Sequence, residues 1–253
     1  MVATPAVDRQ AVDSGVDGAR GTPASRNALG VQATARDLDD RSAPQRAGAH
    51  YAETVPELNT LRALEGMPAA PAPLGDSTLV LIDCQNTYTR GVMELDGVQT
   101  ALDEVAALLD RARSTGIPVI HIQHNGGAGS PYDIDAEIGA IVDRVAPREG
   151  EPVVVKSYPN AFVQTDLDDR LKALGASNLV LAGFMTHMCV NSTARGGFNL
   201  GYAPTVVAGA TATRALPGTD GQPVPAAAMQ SASLAAIADL FAVVVPGSAD
   251  LPD

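Results

Sequence analysis

Tryptophan is absent from this 253-residue chain, and cysteine and lysine each occur only twice. Each scarcity excludes something. Two thiols, Cys84 and Cys189, cannot build a disulfide framework, so a reducing, cytoplasmic setting is the expectation. Aromatic residues reach only 4%, so the core must be made of Ala, Val, Leu and Ile. Positive charge is short as well: 17 basic residues face 29 acidic ones, a net charge of −12. No basic patch is available for nucleic acid or an anionic membrane. An acidic surface suits a cationic substrate, although acidity by itself mostly signifies solubility. The opening "MVATPAVDRQAVDSG" has neither the basic nor the apolar region of a secretory signal. No run reaches the roughly 18 apolar residues of a membrane span.

What is present falls into two parts. Residues 1–73 read as an N-terminal tail, mostly disordered, with no aromatic before Tyr51. Within it, Leu58, Leu61 and Leu64 are spaced for a short docking helix near 54–66, and "MPAAPAPLGD" reads as a stiff linker. From residue 74 to 253 a regular alternation predicts one α/β domain. The strands are "STLVLIDC", "IPVIHIQ", "PVVVKS", "NLVLAGF", "PTVVAGA" and "FAVVVPG". The intervening helices are "VQTALDEVAALLDRARSTG", "IDAEIGAIVDRV", "TDLDDRLKALG", "HMCVNSTARGGFNLG" and "AAAMQSASLAAIADL". Continuous apolar strands between helices mean a parallel sheet covered on both faces.

In such a sheet ligands bind beyond the carboxyl ends of the strands. Three reactive side chains fall there. Asp83 closes the apolar run "LVLI", where a charge must be paired or capping. Lys156 closes "PVVV"; it is either a solvated strand end or a functional ammonium in a chain that uses arginine for nearly every other cation. Cys189 falls in the first turn of the helix after the fourth strand. It is either an inert buried thiol or a nucleophile whose thiolate the helix dipole and an ammonium would favour. Cys84, next to Asp83, should face the other side of the sheet. Together the three make a chemistry. Asp83 accepts the thiol proton, Lys156 holds thiolate and carboxylate in register, and backbone N–H groups of "FMTHMC" receive the oxyanion.

The segments "LVLIDCQN", "VVVKSYPNAF" and "LAGFMTHMCVNSTARGGFNLGY", in this order and spacing, resemble the isochorismatase-like cysteine hydrolases. That family includes nicotinamidase, N-carbamoylsarcosine amidase, ureidoacrylate hydrolases and streptothricin hydrolase. The resemblance covers about residues 74–247. It implies a six-stranded parallel sheet with helices on both faces and a catalytic triad of Asp83, Lys156 and Cys189. It also implies a cis peptide between Phe184 and Met185, and an oxyanion hole from the amides of Met185 and Cys189.

Isochorismatase itself lacks the cysteine, so Cys189 points to the amide-hydrolysing branch. The metal-binding nicotinamidases carry a histidine motif that "HIQHNGG" does not reproduce. His121 and His124, three apart on a strand, should point to opposite faces. No metal and no cofactor is therefore expected. Tyr88, His124, Tyr158, Phe162 and His187 flank the expected site as candidates for substrate contact. The lead expectation for the substrate is a cyclic amide of the streptothricin type, the competing one a linear nicotinamide- or ureido-type amide. A non-catalytic binding protein is the rival from another class. Self-association as a dimer or tetramer is expected.

Overall fold

The computed structural model describes residues 58–253. The expectations placed on residues 1–57 lie outside the described residues. Six strands form one parallel sheet: β1 (Ser77–Ile82), β2 (Val119–His124), β3 (Val153–Lys156), β4 (Asn178–Phe184), β5 (Ala203–Ala212) and a last strand, Val243–Val245. Their order is β3-β2-β1-β4-β5 with the last strand outermost. Chain order reverses between β1 and β4, which sets the crevice of this topology at their carboxyl ends.

Every residue of β1 is buried, as a central strand covered on both faces requires. One face is covered by the helix Val98–Thr115, whose Ala101, Leu102, Val105, Leu108, Leu109 and Ala112 recur at helical spacing and bury against Leu79, Leu81, Val180 and Val207. The other face packs Val80, Ile82, Ile120 and Leu181 against Leu167, Leu171, Val190 and Ala194. Those last four come from the helix Leu167–Ala173 and from the turn and helix that follow β4. Ala226–Ala238 supplies a further helix.

Three expectations need correction. The segment read as a helix over "IDAEIGAIVDRV" forms only two short 3₁₀ turns, Glu137–Gly139 and Asp143–Val145. Its carbonyls are claimed from outside before an i→i−4 ladder can form. Gly139 O accepts from Gln85 Nε2 (2.7 Å) and Gln123 Nε2 (2.9 Å), and Glu137 O from Asn86 Nδ2 (2.9 Å). A Cβ at Gly139 would lie 2.1 Å from Asp133 O, so the close backbone approach needs glycine. Second, the docking helix near 54–66 is a single turn within the described residues, Leu61–Leu64. Its leucines are exposed; Arg62 Nη1 and the Leu61 amide instead bond Leu240 O and Asp239 Oδ1, each at 2.9 Å. Third, a two-stranded hairpin, Leu216–Pro217 with Pro223–Val224, had no counterpart in the strand pattern. Two residues per arm are too few to show a period.

Candidate active site

Asp83 stands one residue beyond β1 rather than within it. Its backbone is left-handed (φ 50°), a conformation aspartate tolerates better than most residues. Its amide still bonds Ile122 O (3.0 Å), so β2 fixes the turn. Gln85, fully buried, ties the same turn to the end of β2. Its Oε1 accepts from His124 N and its Nε2 donates to His124 O, both at 2.9 Å. Strand pairing sets His124 opposite Lys156 at the ends of β2 and β3.

On the far side of the crevice, β4 leads into a wide π-type turn, Thr186–Val190, and then the helix Asn191–Asn199. The Phe184–Met185 peptide is cis. Gly183, with φ 116°, lies where a Cβ would be 2.0 Å from Ile82 O, so β1 and β4 can approach this closely only at glycine. Cys189 is carried on the turn beside β1.

These elements converge on the Lys156 ammonium. Nζ lies 2.7 Å from Asp83 Oδ2, 3.3 Å from Cys189 Sγ and 3.2 Å from His124 Nδ1. An ammonium has three protons and accepts nothing, so all three donors are engaged and His124 Nδ1 is the acceptor. Burial and the neighbouring ammonium push the His124 pKa down to about 4, so the ring is neutral with its proton on Nε2. Asp83 is 0%, Lys156 1% and Cys189 5% exposed.

The expected thiolate is not what this environment favours. Burial, reinforced by the Asp83 charge, pushes the Cys189 thiol up to about 12, against the opposing pull of Lys156. Burial raises Asp83 as well, with Lys156 opposing. The resting site therefore holds a thiol beside a carboxylate whose proton affinity is increased. Such a pair can exchange a proton at the moment of attack.

The other candidates divide. His124 joins the cluster directly. Tyr88 is buried at its edge, its ring 5.8 Å from both Tyr132 and Phe184 in edge-to-face contact. His187, half-buried on the turn that carries Cys189, bonds Thr213 Oγ1 through Nδ1 (2.5 Å). Burial first and the Arg214 charge second lower its pKa. Phe162 is taken up in packing, stacked on Tyr202 with ring centroids 5.9 Å apart. Tyr158 is exposed. His121 and His124 do point to opposite faces: His121 Nε2 meets Glu151 Oε2 at 3.0 Å while His124 meets Lys156. Cys84 belongs to the core on the face opposite Cys189.

Sequence reasoning missed Gln85, Tyr132, Thr213 and Arg214. Gln85 was findable, since a glutamine two residues after a strand-end acid has nothing apolar to pack. Tyr132, whose ring lies 4.9 Å from that of His124, arrives from the stretch between β2 and residue 134, which has no periodicity, so nothing local announced it.

Comparisons with known proteins bear on the family and the fold. Residues 77–248 match the isochorismatase domain. Over 189 residues the chain is 34% identical to the secreted isochorismatase effector Isc1 of Verticillium dahliae, covering 74% of this chain and 97% of the relative. It is 32% identical over 185 residues to the ureidoacrylate amidohydrolase RutB of Stutzerimonas stutzeri, covering 57% of this chain and 75% of the relative. Among solved structures, an isochorismatase from Pseudomonas putida KT2440 superposes with a TM-score of 0.74 at 39% identity, covering 77% of this chain and 99% of that one.

Proposed function

The chain belongs to the isochorismatase family of hydrolases, and from that premise we propose that it is a cysteine amidohydrolase cleaving the C–N bond of a small amide. The observation that carries the reading is the convergence of Asp83, Lys156 and Cys189, with the ammonium 2.7 Å from the carboxylate and 3.3 Å from the sulfur. Cys189 Sγ attacks the carbonyl carbon as its proton passes to Asp83. The amides of Met185 and Cys189 receive the oxyanion, and Asp83 returns the proton to the departing nitrogen. Water, deprotonated by Asp83, then attacks the thioester carbonyl, and the C–S bond breaks as Cys189 Sγ leaves and takes that proton back from Asp83. Lys156 offsets the charge that moves between sulfur and carboxylate, and holds both in line.

For the substrate, the likeness to a ureidoacrylate amidohydrolase supports a linear ureido- or carbamoyl-type amide. The cyclic amide of the streptothricin type, the lead expectation from the family resemblance, stands as the alternative. Time courses of ammonia release from ureido acids and nicotinamide, beside ring opening of a lactam, separate the two. Turnover retained by Cys189→Ala would remove the reading altogether. Self-association is part of the same proposal and is measured by light scattering. So is a cytoplasmic setting: no described helix is long and apolar enough to cross a membrane. One relative is described as secreted, so fractionation of producing cells decides the compartment.

A further inference from the structure

The proposed reaction uses two of the three ammonium protons of Lys156. Asp83 Oδ2 takes one at 2.7 Å and Cys189 Sγ another at 3.3 Å, while the third goes to His124 Nδ1 at 3.2 Å. That third contact has no part in the proton transfers between sulfur, carboxylate and leaving group. Several elements of the fold are nonetheless arranged around it.

His124 ends β2 in register with Lys156 at the end of β3, so the two side chains leave neighbouring strands on the same face of the sheet. One side chain holds the His124 backbone from both sides. Gln85 Oε1 accepts from His124 N and Gln85 Nε2 donates to His124 O, both at 2.9 Å. Gln85 is itself fully buried, and its Nε2 also reaches Gly139 O at 2.7 Å, which anchors the grip in the loop behind. The Tyr132 ring stands edge-on to the imidazole, with centroids 4.9 Å apart and planes at 81°. Backbone and ring plane are both fixed, and Nδ1 faces the ammonium. Nζ is thereby pinned by acceptors from three strand ends: Asp83 after β1, His124 at the end of β2 and Cys189 on the turn after β4.

A neutral acceptor is the chemistry this position calls for. An aliphatic side chain would leave one ammonium proton unpaired in a nearly dry site. A second carboxylate would compete with Asp83 for the ammonium, and its charge would oppose negative charge forming on sulfur. A cation would repel Lys156. An uncharged nitrogen or oxygen fills the third position and leaves the balance between Asp83 and Lys156 untouched. Burial and the adjoining ammonium keep the imidazole in that state, with a pKa lowered to about 4. His121, on the opposite face of the same strand, meets a carboxylate instead, Glu151 Oε2 at 3.0 Å.

Resting on the amidohydrolase reading, we propose that His124 is a positioning residue. By taking the third ammonium proton on Nδ1 it aims the other two at Asp83 and Cys189, and so holds carboxylate and sulfur in line for proton exchange. Its loss is therefore felt in kcat and not in KM.

Four substitutions, assayed with 3-ureidopropionate, test this. His124→Asn places Oδ1 close to where Nδ1 stood, His124→Gln reaches the place of Nε2, and His124→Leu offers no acceptor. His124→Leu should lower kcat by about 10²-fold, the cost of an ångström-scale misplacement of a reacting group, with KM little changed. His124→Asn should return most of that loss and His124→Gln should not. His124→Asp, shaped like asparagine but charged, should stay as slow as His124→Leu. If His124→Asn is no faster than His124→Gln, or His124→Leu keeps the wild-type kcat, the proposal is overturned. A loss carried by KM overturns it too, because His124 then holds substrate and not Lys156.

If wild-type protein does not turn over 3-ureidopropionate, the amidohydrolase reading fails for that amide, and NMR decides the inference alone. The chain has only two lysines, Lys156 and Lys172, so lysine labelled with ¹⁵N at its ammonium gives two signals to assign. Lys172, paired with Asp168 on the surface at 2.6 Å, is the internal reference. Lys156 should be protected from solvent exchange in wild type and in His124→Asn, and His124→Leu should lose that protection at Lys156 alone. Equal exchange of Lys156 in all three proteins rejects the inference. Should His124→Leu not fold, His124→Asn against His124→Gln makes the same comparison by both readouts.

Discussion

Strand β2 delivers two histidines, three residues apart, into two ion clusters on opposite faces of the sheet, one half-buried and one fully buried, and the clusters use one carboxylate each to opposite ends. On one face, Glu151 accepts Arg113 Nε and Nη2 at 2.8 Å, Arg148 N at 2.9 Å and His121 Nε2 at 3.0 Å. Its pKa is pushed down to about 2, led by the hydrogen bonds from Arg113. On the other face, Asp83 is paired with the Lys156 ammonium at 2.7 Å, and its only other polar neighbours are the Cys189 thiol and the His124 backbone. Burial raises its pKa. A carboxylate saturated with donors is a fastener. A carboxylate held dry with one cation keeps an appetite for a proton, which a general base needs.

The largest expected effect separates the two at once. Cys189→Ala should lower kcat by about 10⁴-fold or more, as loss of a nucleophile usually does, with Tm changed by only a few degrees. Asp83→Asn should lower it by a comparable factor while leaving the fold intact, because the amide is nearly isosteric. Full turnover in either variant would break the assignment of Asp83 and Cys189 as the working pair.

Next in size is Lys156→Met, which strands the Asp83 charge in the interior. Removing one partner of a buried pair costs about 3–5 kcal/mol. Adding Asp83→Asn should return most of that stability without returning activity. Denaturant unfolding of the three proteins checks it, and a single variant as stable as wild type means that Asp83 takes up a proton instead.

A smaller effect sharpens the point about proton affinity. With the thiol pushed up to about 12, iodoacetamide should alkylate Cys189 at pH 7.5 at least about tenfold more slowly than free cysteine, and faster as pH rises past 9. Turnover should instead rise as pH climbs through the raised pKa of Asp83 and then stay level, since the base and not a standing thiolate limits it. A turnover curve that tracks the alkylation curve would mean the thiolate exists before substrate arrives.

The sheet and the convergence of Asp83, Lys156 and Cys189 were legible because each leaves a local mark. Buried parallel strands read as unbroken Val, Ile and Leu, and a charge or thiol ending such a run stands out against it. What escaped is held by tertiary contacts that erase the local signal. The apparent helix over 134–145 loses its ladder to the side chains of Gln85, Asn86 and Gln123. Phe162 and Tyr158 were placed near the crevice by sequence distance from Lys156, but direction after a strand end is set by packing, and Phe162 turns to Tyr202. Whether Cys189 rests as thiol or thiolate was left open for a related reason. Sequence announces a helix start and a lysine, both of which favour thiolate, but it does not announce the degree of burial that outweighs them.

The smallest effect tests whether the two clusters are independent although one strand carries both. Glu151→Gln keeps the shape of the side chain and removes its charge, so the forked bond from Arg113 weakens and the cost should be about 1–3 kcal/mol. The sign with pH follows from the pKa of about 2. Stabilisation by a depressed carboxylate is complete above its unfolded value of about 4.3 and is lost as pH falls toward 2. Burial lowers His121 too, and a histidine kept neutral when folded likewise costs stability as pH drops below about 6.5. Wild-type protein should therefore lose stability throughout this descent, and Glu151→Gln should lose less of it between pH 4.3 and 2. Its kcat/KM should match that of wild type, because His121 and His124 face away from each other and only the latter touches Lys156. If kcat/KM instead falls in step with Tm, β2 transmits strain from one face to the other, and the fastener is also part of the catalyst.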